Sequence, residues 1–90
     1  MRVIYSMEPV RMMHDVGERN LARILADIKG LQNDPPVGDI RSIPGKSQRK
    51  KYLCSGDYRV VFKPAKVKGE DALLITEILS KEEMEEIYHL

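Results

Sequence analysis

Two β-prone segments flank the dipeptide Gly56-Asp57 within residues 49–63, and this pattern constrains the fold more than any other feature of the chain. A dipeptide that contains glycine supplies the positive φ angle that a two-residue hairpin turn requires. If these two residues are the whole turn, Cys54 lies directly opposite Arg59. The segment therefore predicts a β-hairpin whose register can be written from the sequence.

Side chains alternate across a strand, so the hairpin register assigns each residue to one of two faces. The predicted core face comprises Leu53, Val60 and Phe62, with Ser55 and Tyr58 near the turn. The other face is predicted to be cationic and to carry an aromatic ring, and it comprises Lys50, Tyr52, Cys54, Arg59, Val61 and Lys63. A slip of one residue would exchange the faces, so the assignment depends on the length of the turn.

Helical periodicity predicts three helices, over residues 9–15, 18–32 and 81–89. The second helix has the clearest pattern, an apolar stripe formed by Leu21, Ile24, Leu25, Ile28 and Leu31. Arg23 and Asp27 lie four residues apart on its polar side and are expected to pair. Ser80 and Glu83 have the spacing of a capping box, which predicts the start of the third helix.

The remaining β-prone segments predict strands over residues 2–6, 38–43 and 72–79. The last of these is apolar on both faces, which indicates a central position in the sheet. Its alternation places Glu77 on the same face as Ile75 and Leu79. Pro64 is expected to end the second hairpin strand, because proline cannot donate to a strand ladder. Residues 66–71 are then predicted to form a polar loop.

With 90 residues, the chain is expected to form one domain over residues 1–90 with a single modest core. The order of elements predicts an α+β fold, a small antiparallel sheet with the N-terminal helices on one face and a short C-terminal helix. The single cysteine, Cys54, excludes an internal disulfide. The N-terminal apolar stretch, residues 3–5, is too short for a signal peptide or a membrane span, so we expect a cytoplasmic protein.

A net charge of +1 conceals a segregation of charge along the chain. Residues 41–68 hold nine basic side chains and one acidic one, a net charge of +8, whereas residues 69–90 hold seven acids and one lysine, a net charge of −6. A basic centre next to an acidic end indicates an anionic partner, either nucleic acid or an acidic protein segment. The alternative is a solvated surface on which charges of both signs are interspersed.

Residues 50–62, Lys-Lys-Tyr-Leu-Cys-Ser-Gly-Asp-Tyr-Arg-Val-Val-Phe, resemble the central hairpin of RelE/ParE-superfamily toxins. The signature of that hairpin is a basic strand, a turn of the Gly-Asp-Tyr-Arg type and an apolar strand. The resemblance extends more weakly to residues 40–45, to the preceding helical segment and to the closing Glu86-Ile87-Tyr88. It implies a RelE-like fold, in which the working face of the sheet is the face opposite the helices, and a toxin of a type II toxin–antitoxin system.

The resemblance further implies a ribosome-dependent mRNA endonuclease, or mRNA interferase, that inhibits translation without a metal or any other cofactor. The ribose 2′-hydroxyl attacks the adjacent phosphate in this chemistry, and basic residues hold the charge that develops. By the resemblance, Arg59 is the transition-state clamp, Lys50 is the base, and Tyr88 stacks near the bound nucleotide. The residues expected to contact RNA are Lys46, Arg49, Lys51, Tyr52, Lys63 and Lys81. The implied partners are the ribosome, mRNA and a cognate antitoxin, with no membrane.

Two departures from the family pattern keep other functions open. Tyr52 and Cys54 stand at positions where the most active relatives tend to be basic, and residues 82–86 contain four glutamates where those relatives often carry an arginine. These differences favour a weakened nuclease, a ParE-type toxin that binds a protein target such as gyrase, or a plain RNA-binding module. For Arg59 the structural alternative is an ion pair with a nearby carboxylate, and for Tyr88 it is simple packing on the sheet.

Overall fold

The computed structural model describes residues 1–45 and 49–90, which form five strands and three helices. In chain order the elements are β1 (Arg2–Tyr5), α1 (Met7–Met13), α2 (Glu18–Gly30), β2 (Ile40–Ser42), β3 (Lys51–Ser55), β4 (Tyr58–Val67), β5 (Glu70–Ser80) and α3 (Lys81–Tyr88). Every predicted element is present in the described residues, and the α+β fold class is confirmed. None of the described helices is long and apolar enough to cross a membrane.

The strands form one sheet in the order β1-β5-β4-β3-β2, so β5 is a central strand as predicted. The pairs from β5 to β2 are antiparallel, but β1 pairs parallel with β5, which departs from the predicted antiparallel sheet. Parallel pairing needs a long connection, and the two strands are joined by all the other elements instead of a short turn. No local sequence signal could fix their relative direction.

The predicted register of the β3–β4 hairpin is confirmed. Cys54 pairs with Arg59, and Ser55 pairs with Tyr58 next to the turn. Gly56 has φ +59°, whereas Asp57 is not among the residues with positive φ, the combination found in a type II′ turn. The two faces of the hairpin are therefore those that the sequence predicts.

The prediction that Pro64 ends the second hairpin strand is wrong, since β4 continues to Val67. Pairing with β3 ends at Phe62, so the edge of β4 on that side is open where the proline lies. Proline lacks a backbone N–H, and at an open edge no neighbouring strand is left without a hydrogen-bond donor. The predicted loop over residues 66–71 is instead a tight hairpin, in which Lys68 and Gly69 both have positive φ, as a type I′ turn requires.

A β-bulge at Thr76 changes which residues of β5 share a face. Val61 pairs with Glu77 and Phe62 pairs with Ile75, so Thr76 is an extra residue between them. Its hydroxyl donates to the Val61 carbonyl at 3.3 Å. Because of the bulge, Ile75 lies on the face of α1 and α2 while Glu77 lies on the opposite face, which corrects the predicted grouping of these two residues.

The face of the sheet that carries α1 and α2, here called the helix face, holds the larger core. From α2 it buries Ile24 and Ile28, which pack with Leu53, Val60 and Ile75 of the strands. Burial of one such side chain is worth about 1.5–3 kcal/mol. Leu25, which the sequence places in the apolar stripe, is instead 43% exposed, because the contact covers only part of the helix circumference.

The opposite face, here called the α3 face, is partly covered by α3. Ser80 and Glu83 form the predicted capping box, with both of its hydrogen bonds present. Met84, which is 2% exposed, packs on a small apolar cluster formed by Ile43, Tyr52, Val61 and Leu79. Tyr52 is 8% exposed and is thus a core residue, although the sequence places it on an open cationic surface.

Candidate functional site

Arg59 projects from β4 onto the α3 face beside the hairpin turn. Its Nη1 atom donates to the carbonyl of Gly56 at 2.9 Å and to its neighbour Tyr58's carbonyl at 2.8 Å. In the described part of the chain no carboxylate forms a salt bridge with it. The turn therefore fixes one edge of the guanidinium, while its remaining N–H donors stay available to an anion.

A pocket of about 260 Å³ opens next to Arg59 between the sheet and α3. Its described lining residues are Arg41, Tyr52, Arg59, Lys81, Met84, Glu85 and Leu90. Three of these side chains are cationic and one is anionic, so the pocket, here called the Arg59 pocket, has a net positive charge. Tyr52 and Met84 are 8% and 2% exposed and form the apolar floor of the pocket, so its cationic rim suits a phosphate group.

Arg41 is a cationic residue of the pocket that was not among the site residues predicted from the sequence. It pairs directly with Tyr52 across β2 and β3, so the register of that short pair would have placed it on the α3 face. Both nitrogens of one guanidinium edge bind the Asp39 carboxylate at 3.2 Å. This hydrogen bond lowers the pKa of Asp39 and raises the pKa of Arg41, both of which are exposed.

Tyr88 and Lys50, both predicted to be catalytic, contact each other outside the lining of the Arg59 pocket. The Lys50 ammonium lies 5.9 Å from the centre of the Tyr88 ring, within the range of a cation–π contact. The Tyr88 hydroxyl donates a hydrogen bond to the Glu77 carboxylate. Burial is the largest of the effects that raise the pKa of Tyr88 well above its ordinary value, and the hydrogen bond to Glu77 and the charge of Glu77 add to it. The hydroxyl is therefore a poor acid at neutral pH.

The other predicted RNA-contacting residues divide between the two faces. Lys63 alternates with Arg59 and Val61 along β4 and so shares the α3 face. Lys51 pairs with Phe62 and thus lies on the helix face, where it lines a second cavity together with Arg49. Lys46 lies outside the described residues. Of the members of this set that the structure describes, Tyr52 and Lys81 line the Arg59 pocket.

A hydrogen bond from the helix layer holds the turn that positions Arg59. Ser55 is 1% exposed, and its hydroxyl donates to the Asp27 carboxylate of α2 at 2.6 Å. Arg23 lies 3.8 Å from the same carboxylate, as the sequence predicts, and its guanidinium packs over Gly56. On the other face the Lys81 amide donates to the Asp57 carbonyl at 2.9 Å. The turn is therefore tied to both α2 and α3.

Cys54 lies directly opposite Arg59 but does not behave as an activated thiol. Burial raises its pKa, and this effect outweighs the opposing influence of the Arg59 charge. A thiol with a raised pKa has little thiolate at neutral pH and is a weak nucleophile. Its role is that of a small strand residue, which packs at the edge of the apolar cluster under α3.

The fold is similar to that of a YoeB/ParE toxin from Agrobacterium tumefaciens, with a TM-score of 0.70. The match covers 89% of this chain and 98% of that one, at 12% sequence identity. No protein-family model matches the sequence, and no curated protein matches it. At this identity the likeness is one of fold, and it confirms the RelE/ParE-like toxin fold that the hairpin motif implies.

Proposed function

We propose that this protein is the toxin of a type II toxin–antitoxin pair and that it cleaves mRNA on the ribosome. The observation that carries the proposal is the Arg59 pocket, a concave site lined by Arg41, Arg59 and Lys81 in which no carboxylate of the described residues forms a salt bridge with Arg59. The fold of the YoeB/ParE toxin supports the same class of function.

The pocket suits an internal ribonucleotide transfer. The 2′-hydroxyl loses its proton and its oxygen attacks phosphorus, while the bond to the 5′-oxygen of the next nucleotide breaks and that oxygen takes up a proton. Negative charge gathers on the non-bridging phosphate oxygens, where the free donors of Arg59 stabilise it. Lys81 holds a flanking phosphate, and Arg41 can hold another once it releases the Asp39 carboxylate. Tyr52 is 8% exposed and forms the apolar floor beneath the phosphate site.

Lys50 and Tyr88 remain the proposed groups for proton transfer and base stacking. Lys50 lies over the Tyr88 ring, so it must swing on its flexible side chain to reach a 2′-hydroxyl bound at Arg59. Tyr88 is anchored through Glu77 and presents its ring, and not its hydroxyl, as the functional surface. Glu85 also lines the pocket and repels a phosphate placed beside it. The distance that Lys50 must move and the negative charge of Glu85 both favour slow cleavage.

The test is translation of a reporter mRNA in a cell-free system with purified protein. We expect cut mRNA with the wild-type chain and a loss of about 100-fold or more in cleavage rate for Arg59→Ala, the effect of removing a transition-state donor. Arg19→Ala, at an exposed arginine of α2, is the matched control and should cut normally. Cleavage that is unchanged in Arg59→Ala would exclude the phosphate-clamp role.

A second candidate is a ParE-type toxin that acts on a protein target such as gyrase. The contact between Lys50 and Tyr88 favours it, because the proposed proton-transfer residue and the proposed stacking residue contact each other outside the lining of the Arg59 pocket. Under this candidate, expression arrests growth while reporter mRNA stays intact, and the arrest survives Arg59→Ala. A plain RNA-binding module would bind the message in the same assay without cutting it and without arresting growth.

A further inference from the structure

The helix face contains an open apolar cavity that the proposed nuclease chemistry does not use. Its volume is about 530 Å³, within the ordinary range for small-molecule sites. Phe62 and Leu73 form its inner wall, and Ile40 and Pro64 lie beside them. Pro64 and Leu73 pair with each other where β4 extends beyond its pairing with β3, and Phe62 lies at the last β3–β4 pair. Ile40 begins β2 on the other side of β3.

Two cationic side chains, Arg49 and Lys51, line this cavity. Neither forms a salt bridge within the described residues, and none of the three residues at 46–48 is acidic. Arg49 has φ +66°, a backbone conformation that non-glycine residues adopt at a cost and that occurs often at binding sites. Both cations are predicted from the sequence to contact RNA, but Lys51 lies on the face of the sheet opposite Arg59.

We propose that this cavity binds a small anionic amphiphile, an apolar chain or ring that carries a carboxylate or a sulfonate. The apolar part displaces water from Ile40 and Pro64 above the buried Phe62 and Leu73, and the anionic head pairs with Arg49 and Lys51. Charge complementarity selects this class, because no acidic side chain of the described residues lines the cavity and a cationic amphiphile would meet only repulsion. The site is independent of the proposed nuclease function.

An amphiphile suits the cavity better than a nucleic acid does. Arg49 and Lys51 could hold one phosphate, but the apolar walls offer no hydrogen bond to a ribose. Among the described lining residues Phe62 is the only aromatic one, and it is buried. RNA recognition uses exposed stacking surfaces together with a continuous line of cations. The separation of the two cavities on opposite faces therefore indicates two different kinds of ligand.

The test is a titration of the whole protein, followed by backbone NMR, with two probes below their micelle concentrations. Decanoate is the matching probe, and decyltrimethylammonium has the same chain with the opposite charge. We expect decanoate to shift the amides of Ile40, Phe62 and Leu73 and to bind at least tenfold more tightly than the cation. The fluorescent sulfonate anilinonaphthalene sulfonate should compete with decanoate for the site.

Charge-neutral variants make the test specific. The double variant Arg49→Gln/Lys51→Gln should bind decanoate about tenfold more weakly, whereas Lys29→Gln, an exposed cation at the end of α2, should bind it as the wild type does. Equal binding of the two probes, decanoate shifts centred on Arg59 and Lys81, or no saturable shift at all would each overturn the proposal. These outcomes do not depend on whether the protein cleaves mRNA.

Discussion

The two faces of the sheet are covered in different ways, and this difference separates stability from function. In the described residues the helix face buries a cluster of ten residues under α1 and α2, whereas the α3 face buries five under a helix of eight residues. The short α3 covers only the middle of its face, so Arg59 and Lys81 remain at the open edge of a small apolar cluster. The larger core thus lies on the helix face, and the cations of the Arg59 pocket lie on the α3 face.

The largest expected effect is a loss of stability on the helix face. We expect Ile75→Ala to lower the free energy of unfolding by about 3–4 kcal/mol, because the side chain is fully buried and its removal leaves a cavity. Urea denaturation followed by circular dichroism measures the change. Leu25→Ala, at an exposed position of α2, is the control and should cost less than about 1 kcal/mol.

A smaller loss is expected on the α3 face. Met84→Ala should cost about 2 kcal/mol, since the neighbouring cluster is small and α3 can settle onto it. Hydrogen exchange should show the loss of protection confined to α3 and the end of β5, with amides of α2 unchanged. If Met84→Ala destabilises the whole sheet as much as Ile75→Ala does, the two faces are not energetically distinct.

The Ser55–Asp27 contact is expected to link the helix face to the turn that carries Arg59. Asp27→Ala should cost about 2 kcal/mol, because it leaves the Ser55 hydroxyl buried without an acceptor. Asp27→Asn keeps an acceptor oxygen and should cost less than half as much. Equal losses in the two variants would show that the charge of Asp27, and not its hydrogen bond to Ser55, stabilises the turn.

The smallest expected effect is a pH dependence carried by Tyr88. Its pKa in the folded chain lies above the unfolded value of 10.0, so its stabilising contribution is complete below pH 10 and is lost as the pH rises further. We expect the wild type to lose more stability than Tyr88→Phe between about pH 10 and pH 12. Thermal unfolding of both proteins across this pH range measures the difference in stability. If the unfolding temperatures of the two proteins fall in parallel with pH, Tyr88 makes no such contribution.

The sequence predicted the local structure well and the long-range contacts less well. The Gly56 turn fixed the hairpin register, because glycine and a two-residue loop leave few alternatives. The extension of β4 through Pro64 depends on the length of β3, and the bulge at Thr76 has no signal in a segment that is apolar on both faces. The parallel pairing of β1 with β5 likewise joins distant segments.

The candidate site was likewise predicted correctly where it depends on local structure and incorrectly where it depends on long-range contacts. Alternation placed Arg59 correctly on the face opposite α2. The same alternation puts Lys51 on the helix face, but it was not applied to Lys51 when that residue was predicted to contact RNA. The apolar edge of α3 was visible in the sequence, but the strand residues beneath Met84 were not, so Tyr52 was predicted to be open to solvent. Arg41 was missed because the pairing of three-residue β2 has little local signal.

The most direct test of the account is backbone NMR with a short single-stranded RNA whose cleaved position carries a 2′-deoxyribose, so that it binds without reaction. The account predicts shifts that centre on Arg41, Arg59 and Lys81, with the amides around Arg49 and Lys51 unchanged. Shifts that centre on the helix face, or equal shifts in the wild type and Arg59→Ala, would contradict the assignment of RNA to the Arg59 pocket.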